Sequence, residues 1–358
     1  MHATFPRGLA LVAAGLLPLM GCQKPAEQPQ APAATVEPEF EDYMLVFFEA
    51  LPKQFDSEKN PITAEKVALG QMLYHDTRLS KNHDVSCNSC HGLDKFGVDN
   101  EKTSPGHKGQ RGGRNSPTVY NSAPYVAQFW DGRSPDLEDQ AKGPILNPIE
   151  MAMPSEEAVV NVLKSIPGYA PLFAKAFPDD KDPITYDNLA KAIGAFERRL
   201  VTPSKFDKFI AGDKTALNEA EKKGLAKFAS LGCTTCHNGP AIGGSSFQRI
   251  GQVIAYDDKE DLGRFEVTKA TADKQVFKVP SLRNIEKTGP YFHNGRWATL
   301  EETVKTMAKH QLGKELGDDE IASVITFLKT LTGELPKDLI AKPELPASGP
   351  DTPKPDPT

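Results

Sequence analysis

Two runs, Cys87-Asn88-Ser89-Cys90-His91 and Cys233-Thr234-Thr235-Cys236-His237, set two thiols and an imidazole at the same short spacing and use four of the chain's five cysteines. Cys-x-x-Cys-His attaches a c-type haem: the thiols bond the two vinyl groups of one porphyrin, and the next residue turns beneath it to bind the iron. The doubled motif predicts two covalently bound haem c groups. Cys87, Cys90, Cys233 and Cys236 are then the attachment points, and His91 and His237 the proximal ligands. A redox Cys-x-x-Cys belongs in a strand-helix-strand setting, and a zinc site needs four gathered ligands.

Each iron has a second axial position. Met307 is the only methionine after Met153, placed where the chain can return to the second iron, and His/Met ligation raises a haem's potential. His293 and His310 are alternatives, and Met307 could simply fill core. For the first iron the nearest downstream candidate is His107, in the Gly-rich loop from Gly106 to Gly113. Two imidazoles, or one imidazole and an open position, imply a lower potential than His/Met. A lone histidine on such a loop is ordinarily just solvated.

These groups need elements to hold them. The 358 residues, less processed and unstructured ends, suit two domains of roughly 150 residues, each able to bury its own core. With 39% hydrophobic and 25% charged residues and a formal charge of -6, the chain has an ordinary soluble composition. An acidic chain without a basic stripe excludes nucleic acid as a partner. The short basic run from Lys108 to Arg114 reads as a local anion partner, as for haem propionates.

Arg7, the apolar stretch from Leu9 to Met20, and Gly21 before Cys22 read as an export signal over residues 1–22. Leu19-Met20-Gly21-Cys22 resembles a bacterial lipobox, with Met20 where a smaller residue is usual. Lipidation would account for the fifth cysteine and hold the protein at a membrane surface; a plain secretory signal is the alternative. The predicted location is the periplasm, with a lipid anchor at Cys22. No later apolar run is long enough to span a bilayer.

Residues 23–40, rich in Pro, Ala, Gln and Glu, read as a tether, and residues 339–358, with six prolines from Lys342 onward, as an unstructured tail. Between them the periodicity is helical: Leu189, Ile193, Phe196 and Leu200 share one face, and Ile321, Val324, Ile325 and Leu328 another. Asp318, Asp319 and Glu320 favour the positive end of the last helix, and Gly333 is its expected stop. Leu69, Met72 and Leu73 before the first motif and Leu225, Phe228 and Ala229 before the second form a faint repeat. The fold expected is mainly α, two cytochrome c-like domains each around one haem, over residues 41–200 and 201–338 with the boundary at Val201-Thr202-Pro203. Residues 92–180, rich in Gly and Pro, are expected to be loops, where chemistry tends to sit.

From about residue 53 to 336 the chain resembles the bacterial dihaem cytochrome c peroxidases. The matching segments are SCNSCHGLDKFGVD, HKGQRGGRNSPT, FWDGR and NPIEMAM in the first half, then CTTCHNGP, VPSLRNIEKTGPYFHNGRWATLEE and MAKHQLGKEL. The resemblance implies that His107 is the displaceable distal ligand of the peroxidatic haem and Met307 the ligand of the electron-accepting haem. It places Trp130 between the haems and Gln140 and Glu150 in the distal peroxide pocket. Asn115, Thr288 and Pro290 match a calcium site at the domain interface, where one side-chain amide and two carbonyls would leave most positions to water and bind modestly. It also implies a homodimer, hydrogen peroxide as substrate, a small cytochrome c or a cupredoxin as electron donor, and, in many relatives, opening of the distal side upon reduction of the second haem.

Glu150 makes chemical sense, because cleaving peroxide requires a proton to pass from one oxygen to the departing one, and a carboxylic acid can relay it. Met151 and Met153 provide an apolar surround that would raise its pKa. Alone, that glutamate would read as a surface charge and Trp130 as core. A non-enzymatic electron carrier with both irons six-coordinate is the reading from another class, opposed by Glu150, Gln140 and the His107 loop. A related dihaem oxygenase, which matures a tryptophan-derived cofactor in a partner protein, bears Tyr where this chain has Met307.

Overall fold

The computed structural model describes residues 1–2, 37–258 and 260–358; the expected export signal, Cys22 and nearly all of the tether lie outside the described residues. Pro38–Thr358 form one compact unit. It is mainly helical, as expected, and among the described residues the sheet is one antiparallel pair of three-residue strands, Phe247–Arg249 and Val276–Lys278.

Two apolar cores lie within the unit. The first is built on the crossing of helices Ala64–His75 and Tyr186–Glu197, started by Thr63 and Thr185, whose side chains accept from the N–H of Lys66 and Asn188. Leu189, Ile193, Phe196 and Leu200 are buried there, matching their helical spacing. The second is built on Glu219–Leu231 against Asp318–Lys329, burying Ile321, Val324, Ile325 and Leu328. Both crossings use a glycine to bring backbones together. A Cβ on Gly70 would stand 2.0 Å from the Ala192 carbonyl oxygen, and one on Gly224 2.3 Å from that of Ser323. The faint repeat thus corresponds to one packing device used before each motif.

Several expectations require correction. The stretch assigned to the start of the first domain packs on the second core, with Phe48 edge-on to Phe206 at 5.2 Å, because that core offers an aromatic cluster with Phe327. Leu339 lies in the first core, and residues beyond it follow the same lobe instead of hanging free. The expected boundary is a buried polar junction: Asn121 Nδ2 and Asn284 Nδ2 both donate to Thr202 Oγ1, at 2.7 and 2.9 Å. Such a network tolerates little relative movement, since each buried group depends on the others. Residues 92–180 hold three α-helices, Leu137–Leu146, Glu156–Lys164 and Tyr169–Ala176, because apolar positions such as Val159, Val162, Leu163 and Phe173 find a core despite the surrounding Gly and Pro. Gly333 does not stop the helix Asp318–Lys329, which ends four residues earlier and is followed by a short helix at Lys337–Ile340; its bare Cα instead permits contact with the Thr202 carbonyl.

Candidate active site

Each Cys-x-x-Cys-His motif opens onto its own cavity. The first, of about 180 Å³, is walled by Cys87, Cys90 and His91, by Gln140 from the helix Leu137–Leu146, and by Glu150 and Met151 from the turn that follows it. The second, of about 250 Å³, is walled by Cys233, Cys236 and His237, by Met307 from the helix Leu300–Leu312, and by residues of the short sheet. Trp130, Asn115, Pro117 and Thr118 line both. The Trp130 indole N–H donates to the Asn115 carbonyl at 2.9 Å.

Burial distinguishes these cysteines from a redox pair. It pushes Cys90 up to about 11 and Cys233 to about 12, and raises Cys87 and Cys236 as well, whereas reactive Cys-x-x-Cys thiols are held low. Burial likewise lowers both imidazoles, His237 to about 4, keeping them in the neutral form that ligates metal. The Nδ1 atoms of His91 and His237 are buried without a hydrogen-bond partner, although carbonyls of Gly97 and Pro117, and of Ile242 and Pro280, lie beside them. In the second cavity wall Lys278 is buried, its Nζ over the Tyr125 ring at 4.0 Å and, among the described residues, paired with no carboxylate. Burial lowers it to about 7. A buried amine in a cavity wall without a carboxylate partner would be held in its charged form by an anionic ligand edge, and porphyrin propionates supply one. The residues present therefore fit a haem at each motif.

Glu150 is half-buried, and its carboxyl is pushed above the usual range by burial, against the opposing pull of Arg133 and of the Asn147 amide, which donates to Oε1 at 2.8 Å. Met151 and Met153 are buried beside it. Of the histidines weighed against Met307, His310 is tied outside the cavity by Nδ1 contacts of 3.0 Å to the carbonyls of Ile254 and Ala255. His293 does line the cavity, but its ring stacks on Phe277 at 4.1 Å and its Nε2 lies 3.5 Å from Asp258. Asn115, Thr288 and Pro290 all line the second cavity. His107 is the residue that the structure does not bring to the iron side: its ring is buried but stands outside the first cavity's wall, to which Gly106 contributes.

Two wall residues escaped the sequence reading. Glu197 lies in the first cavity, 5% exposed, with its carboxyl pushed to about 8 chiefly by burial. It stands next to Arg198 and Arg199 but falls four residues after Ile193, on the buried stripe. Lys278, between Phe277 and Val279, gave no comparable signal.

A family model described as di-haem cytochrome c peroxidase matches residues 64–215, the part that carries the first cavity. The cytochrome c551 peroxidase of Nitrosomonas europaea is 51% identical, over 83% of this chain and 88% of its own length. The chain belongs to the di-haem cytochrome c peroxidase family. The cytochrome c551 peroxidase of Pseudomonas aeruginosa is 44% identical over 88% of this chain and 92% of its own. Among solved structures, a MauG-like protein associated with microbial copper homeostasis superposes with a TM-score of 0.72 at 29% identity, covering 82% of this chain and 96% of that one. As in other members of this di-haem family, two haem c groups are expected at the two motifs.

Proposed function

We propose that the chain reduces hydrogen peroxide to water with electrons delivered singly by a small cytochrome c or cupredoxin. It is an oxidoreductase acting on peroxide. The observation that carries the reading is Trp130: one indole forms part of the wall of both cavities, and the polar pair Gln140 and Glu150 lies in only one of them. The two lobes are read as haem domains of unequal task. Met307 and His237 would hold the second haem as the high-potential, electron-accepting one, and His91 the first, with His107 as its displaceable ligand. Bound haem would supply the one-electron steps that peroxide reduction needs, two electrons and two protons giving two waters.

The side chains do the rest. Glu150, whose carboxyl burial pushes above the ordinary range, can move a proton between the peroxide oxygens, and Gln140 can orient the substrate by hydrogen bonding. Lys278 would pair with a propionate at the second haem. Asn115 Nδ2 donates to the Glu101 carbonyl at 3.0 Å, which leaves Oδ1 as the hard donor for calcium alongside the carbonyls of Thr288 and Pro290. Export to the periplasm and a lipid on Cys22 are proposed from the sequence, and a homodimer from the family resemblance alone.

The test is peroxide-dependent oxidation of reduced cytochrome c by the calcium-loaded holoprotein, comparing fully oxidised enzyme with enzyme pre-reduced at one haem. Turnover only after half-reduction supports both the peroxidase and the opening of its distal side. Equal turnover keeps the peroxidase alone, and none in either state returns the chain to electron carriage.

A further inference from the structure

Residues 342–358, beyond the segments that carry the family resemblance, are laid along the first lobe. Arg78 Nη1 donates to the Pro346 carbonyl at 2.9 Å and to Ser348 Oγ at 3.0 Å. Thr352 Oγ1 bonds both the carbonyl and the hydroxyl of Ser165 at 3.2 Å. The Asp356 N–H donates to the Lys81 carbonyl at 2.9 Å, while Lys81 Nζ donates to the Thr358 carbonyl at 3.1 Å and stands 3.5 Å from the Asp356 carboxylate. Six prolines restrict the free segment, which lowers the entropy lost when it docks. The fit is close: a Cβ on Gly349 would come 2.3 Å from the Ser165 carbonyl oxygen.

The far end of this segment meets the distal loop. His107 Nε2 is 3.5 Å from the Thr358 carbonyl oxygen, a long contact that nonetheless occupies the face of the ring nitrogen an iron would need. Lys81 links the same end to the Glu150 turn, because its N–H donates to the Met151 carbonyl at 2.8 Å. The turn in turn holds the loop: the His107 N–H donates to the Glu150 carbonyl at 2.8 Å, and a Cβ on Gly106 would lie 2.1 Å from the Ile149 carbonyl oxygen. Contacts therefore run without a break from Asp356 through Lys81 and Met151 to His107.

We propose that residues 342–358 are a strap that positions the distal loop, holding the His107 imidazole outside the first haem cavity so that the cavity is open to peroxide. The inference rests on the reading of His107 as the displaceable ligand. A loop with two positions is biased by any contact made in only one of them. The Thr358 contact is of that kind, since one nitrogen cannot face both the strap and the iron. The strap thus shifts resting enzyme toward the ligand-free state.

The test uses full-length, fully oxidised holoprotein. Gly349→Val forces the strap off the Ser165 carbonyl, and Lys81→Ala removes the side-chain contacts at its far end while keeping the backbone bonds. Strap release is read by hydrogen exchange of the Thr352 and Asp356 amides, and ligation of the first haem by its electron paramagnetic resonance and absorption spectra. The parent should show a high-spin first haem. Gly349→Val should lose that signal and gain a bis-imidazole low-spin one, Lys81→Ala should do so in part, and adding His107→Gly to Gly349→Val should remove the low-spin signal. Faster strap exchange with unchanged spin state, or a parent already low-spin at the first haem, would overturn the strap. A low-spin signal that survives His107→Gly would instead show that His107 is not the ligand, and the proposal falls with that reading.

Discussion

Trp130 Nε1 donates to the Asn115 carbonyl at 2.9 Å, and the Asn115 N–H donates to the His293 carbonyl at 2.7 Å. One residue of the first-lobe loop is therefore bonded to the indole on one side and to the second lobe on the other. A cation held at Asn115 Oδ1 would fix the same peptide units that fix Trp130. If calcium binds there as proposed, a dependence of electron passage on it would need no long relay, because both roles would share Asn115.

Trp130→Phe keeps an aromatic ring and leaves the Asn115 carbonyl without its donor, at a cost of about 1–3 kcal/mol if no water replaces it. Both haems should remain attached and thermal stability should fall modestly. Electron passage to the first haem, followed by stopped flow after reduction of the second, should slow. An unchanged rate would remove the indole from the route.

Glu150→Gln preserves the acceptor that Asn147 Nδ2 uses but removes the carboxyl that carries a proton. Peroxide turnover should fall by about 10²–10⁴-fold, the usual share of a positioned acid or base, while the haem spectra persist. Parent-like turnover would assign the proton transfer to another group in the cavity, with Glu197 the next to test.

The site was more legible in the sequence than the fold that carries it. Motif chemistry is local, so Cys87, Cys90, His91 and their second-half counterparts could be read from spacing, and the core stripes from helical period. What could not be read depends on long-range packing. Phe48 joins the second core and Leu339 the first because each finds apolar partners far away in the chain. Pro-rich composition suggested a free tail, yet composition does not report the complementary surface that Arg78, Lys81 and Ser165 provide. Glu197 and Lys278 are buried ionisable groups, whose role appears only when a cavity is seen beside them.

Met307→His replaces a thioether with an imidazole on the same helix. The potential of the second haem should fall by a sizeable part of the roughly 0.8 V that axial ligands span. Spectroelectrochemical titration, with the first haem as internal reference, measures it directly. If the potential stays where it was, Met307 is core and not ligand, and His293, the other candidate in that cavity wall, is the residue to replace next.

Glu197 predicts a pH dependence whose sign can be fixed. Burial, reinforced by Glu138 and opposed by Arg198, raises its carboxyl from an ordinary 4.5 to about 8. Between these values the folded protein keeps a proton that the unfolded chain has released. This contribution to stability therefore declines as pH rises from the lower value to the higher, then levels off. Glu197→Gln cannot release a proton, so its stability should lack that decline. The variant should gain on the parent progressively, by on the order of a few kcal/mol above about pH 8. Denaturant unfolding of the two holoproteins at about pH 5 and about pH 9 measures the difference. Curves that run parallel between those conditions would show that Glu197 is ionised in the folded state and that the haem cavity supplies it with a partner.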